Sequence, residues 1–187
     1  YTEDENLKDT EALAVMFEAW DTLPQPVIGR IHGAALGGGV GLVAVCDIAV
    51  AASSAVFAFS EVRLGIVPAV ISPFVLQKIG LSAARELFLT GSRFTAARAK
   101  DINLVHHVAD AGALDEEVDS IRRSLLAGGP EAQNRMKRLV RDITGVSPAM
   151  ARAKTTQAIA AARVGAEGQE GLRAFLERRT PAWREEG

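Results

Sequence analysis

The sequence predicts an α/β core followed by an all-helical region, on three observations. Short β-compatible runs alternate with helical periodicity through the first half of the chain. Alanine-rich helical stretches take over in the second half. Between the first strand and the next helix lies a run of glycines that only a tight turn tolerates. At 187 residues the chain suffices for one sizeable domain with a proper core, not for two large ones.

Leu7 to Leu23 reads as a helix, because Leu7, Leu13, Phe17 and Trp20 fall near the 3.6 period while Lys8, Glu11 and Glu18 take the wet side. Pro24 and Pro26 stop it. Val27 to His32 is a strand, Gly33 to Gly39 a turn, and Val40 to Cys46 a buried helix ended near Asp47. Ile48–Ala52 and Val56–Phe59 read as short parallel strands buried on both faces. Glu61 and the loop Leu64–Pro68 follow, then a helix from Phe74 to Ile79 closed at Gly80. Ser82 and Thr95 are caps for helices Ala83–Leu89 and Ala96–Asp101. Leu104 to Val108 returns as a strand, and Leu114 to Leu126 is an amphipathic helix stopped by Gly128-Gly129-Pro130. From Glu131 to Arg184 the chain is mostly helical, with breaks at 145–148 and 165–168. The expected segments are therefore 1–127, the α/β core, and 128–187, the helical region.

Charge is nearly balanced, 21 Lys+Arg against 23 Asp+Glu, which argues against a strongly basic nucleic-acid binder or an acidic tail. The single cysteine, Cys46, can form neither an internal disulfide nor a zinc cluster and fits a reducing, cytoplasmic setting. The longest apolar run, Val40 to Ala52, is broken by Gly41 and Asp47 and is too short to span a bilayer. The start at Tyr1, with Glu3, Asp4 and Glu5 close behind, shows neither a signal peptide nor an arginine-rich presequence, and looks like the middle of something longer.

Two segments can carry chemistry. Ile31 to Asp47 runs a strand through glycines into a helix, leaving backbone N–H donors free to meet an anion or a developing oxyanion. Taken alone, the glycines could equally serve close helix–strand packing, and the run matches neither a dinucleotide nor a phosphate-loop fingerprint. In Phe57 to Pro68, a lone Glu61 sits among apolar residues before a Gly/Pro loop. A carboxylate withdrawn from water is suited to moving protons. The plainer alternative is an exposed Glu61 paired with Arg63.

Together, HGAALGGGVGLVAVCDIAVA (His32 to Ala51), FAFSEVRLGIVPA (Phe57 to Ala69) and EGQEGLRAFLERRTPAW (Glu167 to Trp183) resemble the crotonase superfamily of enoyl-CoA hydratases and isomerases. The resemblance implies a spiral of ββα turns with a C-terminal helical region that forms trimers, often paired into hexamers. It implies an acyl-CoA thioester substrate, coenzyme A entering only as part of it, with no tightly bound cofactor and no metal. By the same resemblance Gly38 donates its N–H to the thioester oxygen, Gly37 shapes the loop, and Glu61 moves protons at the acyl chain. Gly41, Ser60, Pro68 and Ala69 are expected at the substrate, the Ala69 N–H orienting water. Phe175 and Arg178 are expected to contact the coenzyme of a neighbouring subunit. Ser60 to Gly80 looks most like the branch that hydrates branched, methylglutaconyl-type CoA esters.

The pattern departs from the family at two places. Hydratases of this family usually carry a first glutamate where this chain has Gly41, so either Glu61 serves as both base and acid or another residue must help; single-glutamate members include double-bond isomerases and some hydratases. The second oxyanion donor and the adenine-binding residues are expected upstream of Tyr1, in roughly 60 residues. Losing one such donor typically costs about 3 kcal/mol of transition-state stabilisation.

Weaker signals read as structural. His106 and His107, adjacent on a strand, point to opposite faces and cannot easily share a metal. His32 is read as packing or hydrogen-bonding near the turn, Cys46 as a core residue, and Trp20 and Trp183 as packing aromatics. The basic run Arg135, Lys137, Arg138, Arg141 is read as a solvated helix face or subunit contact rather than an RNA site, although a non-catalytic oligomerising or RNA-contacting module is the alternative from another class.

Overall fold

The computed structural model describes residues 2–184. Tyr1 and residues 185–187, the outer limits of the two expected segments, lie outside the described residues. The chain divides into two compact units, one made of 1–23 with 27–119 and the other of 24–26 with 120–187.

The first unit opens with α1 (Glu3–Asp21), which starts four residues before the apolar periodicity does. Its first turn is fixed by polar chemistry instead: the Glu5 N–H donates to Thr2 Oγ1 at 3.2 Å and the Thr2 N–H donates to Glu5 Oε2 at 2.8 Å, a reciprocal cap. After the prolines come β1 (Ile28–Ile31), β2 (Ala34–Leu36) and α2 (Gly38–Ala44), then β3 (Ile48–Ala52) and β4 (Val56–Ala58). The glycine segment expected to be one turn therefore contains a strand. Gly33 (φ 72°) and Gly37 (φ 51°) bend the chain at either end of it, while Ala34–Leu36 pair in parallel with Val56–Ala58.

Two three-stranded sheets result, ordered β1-β3-β6 (β6, His107–Ala109) and β2-β4-β5 (β5, Phe94–Thr95). Each passage of the chain gives one strand to each sheet before turning into a helical segment: β1, β2, α2, then β3, β4 and a 3₁₀ turn at Glu61–Leu64. That is the ββα spiral the resemblance implied. Beyond it, α3 (Ser72–Thr90) is broken at Gly80 (φ 70°, ψ 171°), where the sequence had separated two helices. β5 (Phe94–Thr95) pairs antiparallel with β4 and, at two residues, is too short for a periodic signal. Thr95 caps α4 (Ala96–Asp101), its Oγ1 accepting from the Arg98 N–H. The strand expected from Leu104 starts only at His107 (β6, His107–Ala109), because the N–H groups of Leu104 and Val105 both donate to Ala99 O and close α4 instead. Phe57 and Phe59, both fully buried, lock the core: Phe57 stacks on Phe94, and Phe59 meets Phe88 edge-on at 4.7 Å. Trp20, expected to pack, is 42% exposed.

In the second unit, entered along α5 (Leu114–Leu126), α6 (Pro130–Ile143), α7 (Pro148–Val164) and α8 (Ala166–Glu177) pack on one another. The Glu167 carboxylate of α8 accepts from the Glu131 and Ala132 N–H groups at 2.8 and 2.7 Å, capping α6 from a distance. Trp183 lies over Gly171 and donates to Ala127 O. No helix among the described residues is long and apolar enough to cross a membrane.

Candidate active site

Glu61 reaches its position because β4 ends on a buried anchor. Phe59 is held between Phe88 and Phe94, and two residues later the chain enters the 3₁₀ turn that begins with Glu61. The turn is closed by the Arg63 N–H on Ser60 O and by Gly65 in the left-handed region (φ 74°). The glycine turn is fastened to the same strand end, since the Gly37 N–H donates to Ala58 O at 2.9 Å. Glu61 and the glycines are thus brought side by side by one ladder.

The contact is close. A Cβ at Gly37 would stand 3.1 Å from Glu61 Oε1, besides requiring a left-handed φ, so glycine serves there on both counts. Glu61 is half-buried, and its buried Oε2 accepts no hydrogen bond among the described residues. Arg63 is not its partner, because the Arg63 stem turns to lie against Gly91. Gly38, at the start of α2, is exposed, and among the described residues no oxygen accepts its N–H.

Beside Glu61 and Gly38 opens a cavity of about 750 Å³, within the usual range for small-molecule sites. One wall comes from α1, through Leu13, Met16 and Phe17. Leu42 of α2 and the loop from Gly65 to Ile71 supply the rest. The expected residues separate accordingly. Gly38, Glu61, Pro68 and Ala69 line the cavity, and Gly37 touches Glu61. Ser60 precedes the 3₁₀ turn without lining the cavity. The Ala69 N–H, expected to orient water, donates to Val67 O at 2.8 Å.

Gly41 is buried and does not itself line the cavity, being covered by Phe17 and Ile71, which do. A Cβ there would overlap Ile71 Cγ2 and stand 2.9 Å from Ile71 Cβ and 3.0 Å from Phe17 Cε1. The place where the resemblance leads one to expect a first glutamate is therefore filled by hydrocarbon. The wall from α1 was not foreseen: Leu13 and Phe17 belong to a legible apolar stripe, but a stripe does not tell which of its members face a void.

Phe175 and Arg178 belong to the second unit, on α8 and at its C-terminal cap. Phe175 is 80% exposed, and Arg178 adopts φ 55°. His106 and His107 have separate partners: His106 Nδ1 accepts from the Ala49 N–H, and His107 Nδ1 lies 2.8 Å from Glu117 Oε1. Among the described residues no group of three or more His, Cys, Asp or Glu is gathered that could hold a metal.

The sequence pattern of the enoyl-CoA hydratase/isomerase family matches residues 3–186. Enoyl-CoA hydratase AKT6-1 of Alternaria alternata is 38% identical over 131 residues, which cover 70% of this chain and 44% of that protein. Enoyl-CoA isomerase/hydratase fer4 of Mycosarcoma maydis is 33% identical over 133 residues, covering 70% and 48% respectively. The crystal structure of an enoyl-CoA hydratase from Shewanella pealeana superimposes with a TM-score of 0.93 at 39% identity, over 98% of this chain and 69% of that one. The chain spans less than half the length of these two curated relatives.

Proposed function

This chain belongs to the enoyl-CoA hydratase/isomerase family, within the crotonase superfamily, and we propose that the whole protein adds water across the α,β double bond of an acyl-CoA thioester, with Glu61 as both base and acid. The observation that carries this is the buried Oε2 of Glu61, unpartnered among the described residues, at the wall of an apolar cavity whose rim holds the Gly38 N–H, likewise without an acceptor among them. A buried carboxylate oxygen without a donor is costly unless a substrate or water supplies one.

The steps balance on a single carboxylate. Glu61 takes a proton from water as the water oxygen bonds to Cβ, and the π electrons move through Cα to the thioester oxygen. The Gly38 N–H stabilises that enolate oxygen. Collapse of the enolate then draws the proton from Glu61 to Cα, which regenerates the carboxylate. Coenzyme A takes part only as the carrier of the acyl group. Phe175 and Arg178 contact the coenzyme bound to a neighbouring subunit of a homotrimer or hexamer, an assembly supported by the apolar surface that Leu172, Phe175 and Leu176 leave exposed.

Glu61→Gln in the full-length protein is expected to lower kcat by about 10²–10⁴-fold, with little change in acyl-CoA affinity. Unchanged turnover of every enoyl-CoA ester tested would sink the assignment. A second reading, double-bond isomerisation, is favoured by Gly41, whose packing leaves no room for a second carboxylate. Turnover in ¹⁸O-water separates the two, since only hydration puts solvent oxygen into the product.

A further inference from the structure

We propose that the groove between α6 and α7 binds a small phosphate-bearing ligand, held through a phosphate or diphosphate group. The groove lies within the second unit, and none of its residues is among those that line the cavity beside Glu61.

It opens where the two helices pack side by side and encloses about 330 Å³, the lower end of the range for small-molecule sites. α6 lines it with Arg135, Arg138, Leu139 and Asp142, whose spacing of i, i+3, i+4 and i+7 puts them on one helix face. α7 answers with Lys154, Gln157 and Ala158, at i, i+3 and i+4. The basic run seen in the sequence is thereby divided. Arg135 and Arg138 face the groove, whereas Lys137 donates to Gln25 O at 3.3 Å and Arg141 does not line it.

Three cations meet one carboxylate here, so the groove carries a local charge of +2. The cations keep most of their donors. Arg135 Nη2 stands 3.7 Å from Glu131 Oε2, a long ion pair on one nitrogen of its fork. Lys154 gives one of its three protons to Asp142 O at 3.4 Å, which also ties α7 to the last turn of α6. Two guanidinium forks, an ammonium and the Gln157 amide supply more donors and more charge than one carboxylate ligand could use. A phosphate dianion, with its extra oxygens, matches both counts. The groove is short, and the chain as a whole carries a formal net charge of −2, so a long polyanion finds little attraction beyond it.

The test is calorimetric titration of the full-length protein at low salt, with inorganic diphosphate and ADP as probes. Both are expected to bind, more weakly as salt is raised. ADP binding no tighter than diphosphate assigns the site to a phosphate group alone. Tighter ADP that weakens with Arg138→Ala assigns it to a nucleotide, and either result supports the proposal.

Arg138→Ala is expected to weaken diphosphate binding by about 5-fold, and Asp142→Asn to strengthen it by about 3-fold. Arg141→Ala removes a charge of the same sign from the same helix outside the groove, and is expected to change binding by less than about 2-fold. All three positions are exposed, so folding is spared. Binding of neither probe, equal losses with Arg138→Ala and Arg141→Ala, or unchanged or weaker binding with Asp142→Asn overturns the proposal. So does a short single-stranded RNA whose binding depends on Arg138 and is not displaced by diphosphate.

Discussion

At position 41 the space of the missing side chain is taken by its neighbours, Ile71 from the loop side and Phe17 from α1. Even one methyl group cannot enter without displacing packed carbon on two elements. Gly41→Ala is expected to cost about 1–3 kcal/mol through overpacking, read as a lower urea midpoint at unchanged slope. Gly41→Glu, which introduces the first glutamate the resemblance leads one to expect, is expected to lose stability and activity together rather than to create a two-carboxylate site. Gly37 is constrained differently: its φ of 51° and the nearness of Glu61 Oε1 both exclude a side chain, whereas Gly38 has open space around it. Three neighbouring glycines that look alike in sequence thus answer to backbone angle, donor access and packing.

Among the elements, those with a long apolar period or an unambiguous cap were legible. The amphipathic α5 and the Thr95 cap of α4 lie where the sequence put them. β2 was hidden because three residues between glycines carry no alternation, and its existence depends on Val56–Ala58, about twenty residues away. β6 was displaced because the end of α4 uses the N–H groups that a longer strand would have needed. In the candidate site the residues that meet, Glu61 and the glycines, were legible as a pair, and the walls were illegible, since cavity-facing residues are chosen by tertiary packing. Remote capping is invisible to local reading for the same reason. Glu167 lies 36 and 35 residues beyond the Glu131 and Ala132 N–H groups it accepts from at the start of α6. Glu167→Ala is expected to destabilise the second unit by about 1 kcal/mol, and Glu167→Gln by less, measured by denaturant titration with helical circular dichroism as the signal.

At the scale of the whole molecule, stability should depend on pH through a histidine that completes a ladder. β3, the central strand of its sheet, exchanges two bonds with His106: the His106 N–H donates to Ala49 O at 2.8 Å, and the Ala49 N–H donates to His106 Nδ1 at 3.0 Å. The second bond requires a bare Nδ1. His106 is held below its ordinary value, first by partial burial of its ring and then by Lys78 and His107, with Asp47 opposing them. Because the folded value is depressed, the contribution is fully present above about pH 6.5 and is lost as pH falls through the folded value. The urea midpoint should therefore fall between pH 7.5 and 5, and His106→Asn, which can accept from Ala49 without titrating, should flatten that fall. Near the chain end Glu170, held at about 2 by Arg179 and then by the Ala182 N–H, keeps its pairing through this range and loses it only in stronger acid.

The bond from the Gly37 N–H to Ala58 O has a consequence for error tolerance. One pairing, Leu36 opposite Ala58, acts as the common ruler for the proposed oxyanion donor one step past the glycine and for the carboxylate three steps past the alanine. A slip of one residue in that short ladder would separate them at once. In the proposed reaction the spacing of the two groups is therefore entrusted to three paired residues.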